Sequence, residues 1–158
     1  MANPEKYSRL QIILHWAIAA LMIVSFITHE AMGEAWDVVE DGGTAVIEGG
    51  ARVHQLVGLT ILALAVLRII LRLTKGAPAP VPAPKLQDLA AKLTHVGLYV
   101  VIFALPITGM LAIGAGIEAA AEFHEPLFQL GMVLILLHIG AALYHQFIVK
   151  DNLMARMR

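Results

Sequence analysis

Residues 10–28 read LQIILHWAIAALMIVSFIT, a run without Asp, Glu, Lys or Arg in which His15 is the one titratable side chain. A helix needs about 20 residues, at a rise of about 1.5 Å each, to cross the roughly 30 Å of hydrocarbon in a bilayer. Three further apolar runs follow at residues 53–71, 93–117 and 126–149, and Arg68 is the only Asp, Glu, Lys or Arg among them. The sequence therefore predicts an all-α protein, an integral membrane four-helix bundle.

The composition agrees with this prediction. Hydrophobic residues make up 59% of the chain and charged residues 15%, against about 45–50% and about 25% in soluble globular proteins. A soluble domain of about 150 residues still exposes roughly a third of its unfolded surface, so it could not bury that excess. A soluble bundle would also need a charged outer face on every helix. We expect one transmembrane domain, residues 1–158, with helices at about 8–29, 52–74, 88–114 and 123–149.

The basic residues predict an orientation. Ten of the eleven Lys and Arg precede the first run, surround the proline-rich connector at residues 76–84 or follow the last run, and Arg52 is the exception. Positively charged loops stay in the cytoplasm, so both termini and the connector are predicted to be cytoplasmic. Nine acidic residues fall on the opposite, outer side: Glu30, Glu34, Asp37, Glu40, Asp41, Glu48, Glu118, Glu122 and Glu125.

Two features of the composition exclude whole classes of function. The chain has no cysteine, which excludes disulfides, thiolate-bound metals and covalently attached haem. A net charge of −1 is not that of a nucleic-acid binder, so no nucleic acid is expected as a partner. The seven histidines remain as the obvious metal-binding side chains.

Histidines within membrane spans are costly and usually functional. His124 and His138 are fourteen residues apart, which places them about 40° apart around one helix and about 21 Å apart along it. One helix can thus present two ligands near opposite leaflets. Neutral imidazoles from facing helices, with a flat macrocycle between them, are what a bis-histidine haem requires.

Depth in the membrane suggests the partners. His54, at the outer start of the second helix, pairs with His124 at the outer start of the fourth. On the cytoplasmic half, His15 can pair with His138 or with His145. Depth alone slightly favours His145, but that choice separates two irons by about 31 Å along the axis, whereas His138 keeps them near 21 Å. We therefore favour His138.

Several alternatives stay open at this point. His29 is fourteen residues from His15 and could replace His54, although Gly58, one turn inward from His54, would let a flat ring approach the backbone. A zinc or copper site would cluster its ligands at one level, and a proton pump would place carboxylates inside the spans. A membrane scaffold without haem is a further class.

The motifs around these histidines resemble the bacterial cytochrome b561 family of four-helix, two-haem membrane proteins. The matching stretches are YSRLQIILHW at residues 7–16, HQLVG at 54–58, LRIILRL at 67–73, FALPITG at 103–109, and His124, His138 and His145 followed by KDN at 150–152. They cover all four helices in order. The first and last stretches are the specific ones.

The resemblance implies two non-covalent b-type haems, ligated by His15 and His138 on the cytoplasmic side and by His54 and His124 on the outer side. It also implies a bacterial inner membrane location and electron transfer between an outer-face donor and ubiquinone, and similar proteins can oxidise superoxide and reduce ubiquinone. His95, His145 and Lys75 could then hydrogen-bond or protonate the quinone. Arg9, Arg68 and Arg72 would hold haem propionates or lipid phosphates.

One feature departs from a superoxide oxidase. Capture of an anion at the outer face should be helped by positive potential, yet only Arg52 lies there among nine acids. The acidic loop could instead meet a basic electron carrier or another subunit, in which case the chain is the haem b subunit of a larger oxidoreductase. Pro106 and Gly109 are expected to bend and thin the third helix for packing.

Overall fold

The computed structural model describes residues 6–158, and these form four long helices. The helices are α1 (Arg9–Glu40), α2 (Gly49–Lys75), α3 (Lys85–Ala115) and α4 (Glu118–Tyr144); a π-helical turn (His145–Val149) and a 3-10 turn (Leu153–Met157) follow. Each of the four is long and apolar enough to cross a membrane. The all-α, four-helix membrane fold is thereby confirmed.

The helices leave their apolar residues on the outside. Between 6% and 17% of the residues in the most apolar window of each helix are buried within the protein. Large side chains such as Leu73, Leu86 and Ile27 are more than two-thirds exposed. Such surfaces face a hydrocarbon solvent in a multi-pass membrane protein, because water would penalise them.

The two ends of the bundle differ in charge. The start of α1, the end of α2, the start of α3 and the end of α4 share one end, here called the basic end, with the connector at residues 76–84. The other end, here called the acidic end, holds the end of α1, the start of α2, the end of α3 and the start of α4. Ten of the eleven Lys and Arg belong to the basic side of the bundle, and nine of the twelve Asp and Glu belong to the acidic side.

At the basic end, α1 is tied to the end of α2. Ser8 caps α1 in a capping box, because its side chain accepts from the Gln11 amide and the Gln11 side chain accepts from the Ser8 amide at 2.9 Å. Gln11 is buried, and its Nε2 donates to the carbonyl of Gly76 at 3.0 Å. Arg68 donates to the Gln11 carbonyl at 3.2 Å. These hydrogen bonds fix the position of the start of α1 relative to the end of α2.

At the acidic end, α1 continues well beyond the predicted end near residue 29 and stops at Glu40. Its 32 residues span about 48 Å, more than the roughly 30 Å of hydrocarbon. Along the extension, Ala31, Ala35 and Val38 line an open cleft with residues of the loop that leads into α2, and a Cβ at Gly50 would lie 2.8 Å from the Ala31 Cβ. The helix thus extends past the apolar run that hydropathy identifies.

The bundle is built from two hairpins. α1 packs extensively on α2 and α3 on α4, whereas the hairpins meet chiefly through α2 and α3. Within the second hairpin the contact is close: a Cβ at Gly97 would lie 2.9 Å from Leu134, and one at Gly131 would lie 2.9 Å from Val101. Glycines at such positions let helices approach tightly in a membrane. The seam between the hairpins is the loosely packed part of the molecule.

The C-terminal residues fold back over the basic end. The Trp16 indole N–H donates to the Met157 carbonyl at 3.0 Å, and the Arg156 guanidinium donates to the Ala79 carbonyl at 2.6 Å. The tail therefore contacts both α1 and the proline-rich connector.

Candidate functional site

The histidines occupy two levels in the bundle. His54 lies one turn inside the start of α2 and His124 lies in the second turn of α4, so both belong to the acidic end. His15 lies in the second turn of α1 and His138 lies two turns before the end of α4, so both belong to the basic end. α4 thus contributes one histidine to each level, about 21 Å apart along its axis.

At the basic end, three imidazoles from three helices meet edge to face. The ring centres of His15 and His138 are 6.1 Å apart, with an interplanar angle of 68°. His95 on α3 brings its ring centre to 5.3 Å from that of His138. His15 and His138 are half-buried and His95 is exposed. His95 therefore lies beside His138, one member of the suggested ligand pair.

At the acidic end, each histidine is held by a hydrogen bond from its Nδ1. The Nδ1 of His54 lies 3.0 Å from the Ser25 carbonyl, which can only accept, so this nitrogen carries the proton. The Thr108 hydroxyl donates to the Ala104 carbonyl at 2.8 Å and accepts from His124 Nδ1 at 2.9 Å. In both rings the network assigns the proton to Nδ1, which leaves the Nε2 lone pair free for a metal.

Two neighbouring residues of α3 shape the position of His124. Thr108 provides the hydrogen bond, and Gly109 provides the space, since a Cβ there would lie 3.2 Å from His124 Cε1. The sequence suggested a general packing role for Gly109, and the structure specifies the side chain that it accommodates. Thr108 was missed. No local pattern marked it, because its contact with His124 depends on how α3 and α4 are rotated against each other.

His29, the rival of His54, has a different environment. Its Nδ1 donates to the Phe26 carbonyl one turn back on α1, at 2.7 Å. Its ring stacks on Phe26 and on Phe128 of α4, with ring centres 5.6 and 5.3 Å away. His29 is exposed, whereas His54 is half-buried against the neighbouring helix. A buried, cross-helix position suits an axial ligand better.

Cationic side chains gather at the basic end. A small cleft there is lined by Tyr7, Gln11, Arg68, Arg72, Tyr99 and Met157. Arg68 is half-buried, and Arg9, Arg72 and Lys75 are exposed. The cleft combines guanidinium and phenol donors, which suits a carboxylate or phosphate ligand.

His145 is not part of the imidazole cluster around His138. It opens the π-helical turn after α4, and its Nδ1 lies 2.5 Å from a carboxylate oxygen of Asp151. The exposed fractions of the two side chains are 20% and 16%. The sequence suggested that His145 contacts quinone, but it did not indicate that Asp151 would be the hydrogen-bond partner of His145.

These positions fit b-type haem. Two imidazoles on opposite faces of one metal ion, with bonds of about 2.0 Å, have ring centres about 6 Å apart, close to the separation of His15 and His138. The free Nε2 atoms of His54 and His124 suit the same role, and the loose seam between the hairpins suits a flat macrocycle. By contrast, residues 6–158 contain no cluster of three or more His, Cys, Asp or Glu arranged for a single metal ion.

Comparisons with known proteins point the same way. The sequence profile of prokaryotic cytochrome b561 matches residues 6–158. Cytochrome b562 of Cereibacter sphaeroides is 38% identical, over 99% of this chain and 98% of its own. A probable superoxide oxidase, CybB of Yersinia pestis, is 30% identical over 97% of this chain and 96% of its own. Cytochrome b561 homolog 1 of Escherichia coli is 28% identical, over 97% of each chain.

Proposed function

The chain belongs to the prokaryotic cytochrome b561 family of haem-binding membrane electron-transfer proteins, and on that premise we propose that it carries electrons through two haems from an outer-face donor to quinone. Each b-type haem supplies an iron that takes up or releases one electron. The observation that carries the proposal is the fourteen-residue spacing of His124 and His138 on α4, each facing a histidine-bearing helix at its own level.

The protein's own residues define the two haem sites. His15 and His138 would bind one haem at the basic end, and His54 and His124 the other at the acidic end. Arg68 and Arg72, in the cleft beside α1, would hold propionates of the first haem by charge-assisted bonds. Arg9, exposed on the first turn of α1, would meet either a propionate or a lipid phosphate.

The haem content tests the proposal directly. Purified protein should be red, show a reduced α-band and contain about two haems per chain in a pyridine haemochrome assay, because each level offers one pair of imidazole ligands. A colourless preparation that keeps its helical circular dichroism would overturn the proposal.

Quinone is proposed to react at the basic end, close to the first haem. His95 lies beside His138, His145 lies on the turn after α4, and Lys75 ends α2, so all three belong to this end. A quinone needs two electrons and two protons to become a quinol, and imidazole and ammonium groups can provide the protons. With superoxide as the donor, two superoxide anions would become two O₂ as one quinone becomes quinol.

The basic end is proposed to face the cytoplasm of a bacterium, across the inner membrane, as the distribution of Lys and Arg favours. Reporter fusions test this orientation. A green fluorescent protein fused after Arg158 should fluoresce, since it matures in the cytoplasm, whereas alkaline phosphatase fused there should be inactive. The opposite pair of results would invert the orientation.

The acidic end favours a second candidate donor, a basic soluble electron carrier. Glu30, Glu34 and Glu40 are exposed along the extension of α1, and such a field attracts cations and repels superoxide. Neutralising Glu34, Asp37, Glu40 and Asp41 together should speed reduction by superoxide and slow reduction by a basic carrier such as a small c-type cytochrome. The favoured donor is whichever of the two, superoxide or the basic carrier, reduces the wild-type protein at the higher rate at low ionic strength.

A further inference from the structure

The turn that follows α4 has an irregular backbone. A π-helical turn replaces the last turn of the helix, at His145–Val149. Lys150 and Asn152, on either side of Asp151, both adopt left-handed conformations, with φ of 58° and 60°. Lys150 is the left-handed cap of this turn, with its N–H bonded to the His145 carbonyl, and Asn152 begins the 3-10 turn, so Asp151 lies between two turns.

The Asp151 carboxylate bonds to both of these turns. Its Oδ2 accepts a hydrogen bond from His145 Nδ1 at 2.5 Å, and its Oδ1 accepts from the Leu153 amide at 3.0 Å. The hydrogen bond from His145 is the main cause that lowers the pKa of Asp151, and the Leu153 amide adds to it. The carboxylate therefore stays ionised at neutral pH, and both of its oxygens are occupied.

The same turn contains a buried acceptor without a donor. Gln146 Oε1 is buried and finds no hydrogen-bond partner within residues 6–158. A buried amide oxygen of this kind costs free energy unless something pairs with it. A ligand that carries hydroxyl groups, as a quinol does, would pair with it.

We propose that Asp151 is a positioning residue that holds His145 with Nδ1–H directed at the carboxylate and Nε2 directed at a bound quinone, so that His145 delivers protons to the quinone oxygen. This inference rests on the proposed quinone reaction. It assigns the proton-transfer role to His145 and separates it from His95, whose ring lies against His138.

The proton balance is as follows. The quinone accepts two electrons, one at a time, and two protons. Protonated His145 gives the proton on Nε2 to a quinone oxygen, keeps the proton on Nδ1 bonded to Asp151, and regains a proton from water at the basic end. Two such cycles complete the quinol. The carboxylate accepts from Nδ1 throughout and keeps the ring oriented while the proton on Nε2 is transferred and replaced.

The test is Asp151→Asn in the full-length, haem-loaded protein, with Asp88→Asn as the matched control. Asp88 is a carboxylate at the same end, paired with Lys92 at 2.7 Å. Haems reduced with dithionite are mixed with ubiquinone-1, and their reoxidation is followed at the α-band. Asp151→Asn should lower the maximal rate at least tenfold, with the quinone KM changed less than twofold. Asp88→Asn should match the wild type.

Two further measurements separate positioning from a structural role. Reoxidation by ferricyanide, which takes no proton, should be unchanged in Asp151→Asn, and the haem content should stay at the wild-type value. Asp151→Glu, which restores the carboxylate, should recover part of the rate with quinone.

The outcomes that would contradict the role of Asp151 can be distinguished from the outcome that would contradict the proposed function. A wild-type rate with quinone in Asp151→Asn overturns the proposal and leaves the proposed function standing. Loss of haem or a slower ferricyanide reaction in this variant assigns Asp151 a structural role and also overturns it. Failure of the wild-type protein to reduce quinone overturns the proposed function itself.

Discussion

The two histidine levels of the bundle are organised differently. At the acidic end, His54 and His124 are each held through Nδ1 by an acceptor on a neighbouring helix. At the basic end, the His138 ring packs edge to face with the rings of His15 and His95. The acidic-end histidines are oriented by hydrogen bonds that they donate to neighbouring helices, whereas the basic-end histidines form a cluster of imidazoles close to Arg68.

This difference concerns what orients each proposed ligand pair. A ligand whose second nitrogen is already hydrogen-bonded keeps its tautomer and orientation. The rings of His15 and His138 stand at about the separation of two axial ligands, but ring packing rather than a hydrogen bond to a neighbouring helix orients them. We therefore expect second-sphere substitutions to matter more at the acidic end than at the basic end.

The largest expected effect is the loss of a ligand. His138→Ala should remove the basic-end haem and leave the acidic-end haem, since His54 and His124 lie on other parts of the bundle. The haem content should fall from about two to about one per chain, as measured by pyridine haemochrome. The remaining haem should keep a bis-histidine spectrum.

The matched control for that variant is His145→Ala, at the next histidine along the chain, just after α4. It should retain both haems, because His145 Nδ1 pairs with Asp151 rather than joining the cluster around His138. If His145→Ala loses a haem and His138→Ala does not, the ligand pair at the basic end is wrong.

A smaller effect should follow from Thr108→Val, which keeps the shape of the side chain and removes the acceptor for His124. Outer-shell partners of this kind are worth about 10-fold to 100-fold in metal affinity, so the acidic-end haem should bind that much more weakly in a haem titration of the apo-protein. The basic-end haem should be unaffected.

Thr60→Val is the control for this change. The Thr60 hydroxyl donates to the Leu56 carbonyl at 2.8 Å, the same local bond that Thr108 makes to Ala104, but no histidine hydrogen-bonds to it. An equal loss of haem in both threonine variants would show that the hydroxyl acts on helix geometry and not on His124.

Two glycine-to-alanine substitutions in α3 should have different effects, one lowering haem occupancy and the other raising stability. Gly109→Ala places a methyl group 3.2 Å from His124 Cε1 and should reduce acidic-end haem occupancy severalfold. Gly114→Ala enters open space, so the helix gains up to about 1 kcal/mol of propensity without a clash. Haem content and thermal stability measured together separate the two, and a haem loss in both would remove the steric explanation.

The smallest effect is expected from Ser25→Ala. His54 Nδ1 donates to the Ser25 backbone carbonyl at 3.0 Å, and the Ser25 hydroxyl is 3.5 Å away. Because a side-chain substitution leaves the carbonyl in place, haem affinity should change less than twofold in the same titration. A tenfold loss would make the hydroxyl the partner that orients His54.

The sequence predicted the four helices because an uncharged run of about 20 residues has few alternatives to crossing a membrane. It did not predict that α1 would reach Glu40, because the charges after residue 29 mark the membrane boundary and not the end of the helix. The extension lies beside the start of α2, with Ala31 close to Gly50, and such proximity between distant residues is absent from local hydropathy.

The histidine levels could be inferred from spacing, because a helix converts residue number into depth. The residues that orient the histidines could not. Thr108 and Ser25 act across helix interfaces, and the rotation of each helix decides which residues face His124 and His54. The pairing of His145 with Asp151 needs a π-helical turn and two left-handed residues, which no periodic pattern announces.

The loose seam between the two hairpins bears on the stability of the assembled bundle. Haem held by histidines of both hairpins, as proposed, would add contacts across this seam. Haem binding would stabilise the folded bundle by RT ln(1 + [L]/Kd), where [L] is the concentration of free haem. This stabilisation is about 2.7 kcal/mol at a haem concentration one hundred times Kd.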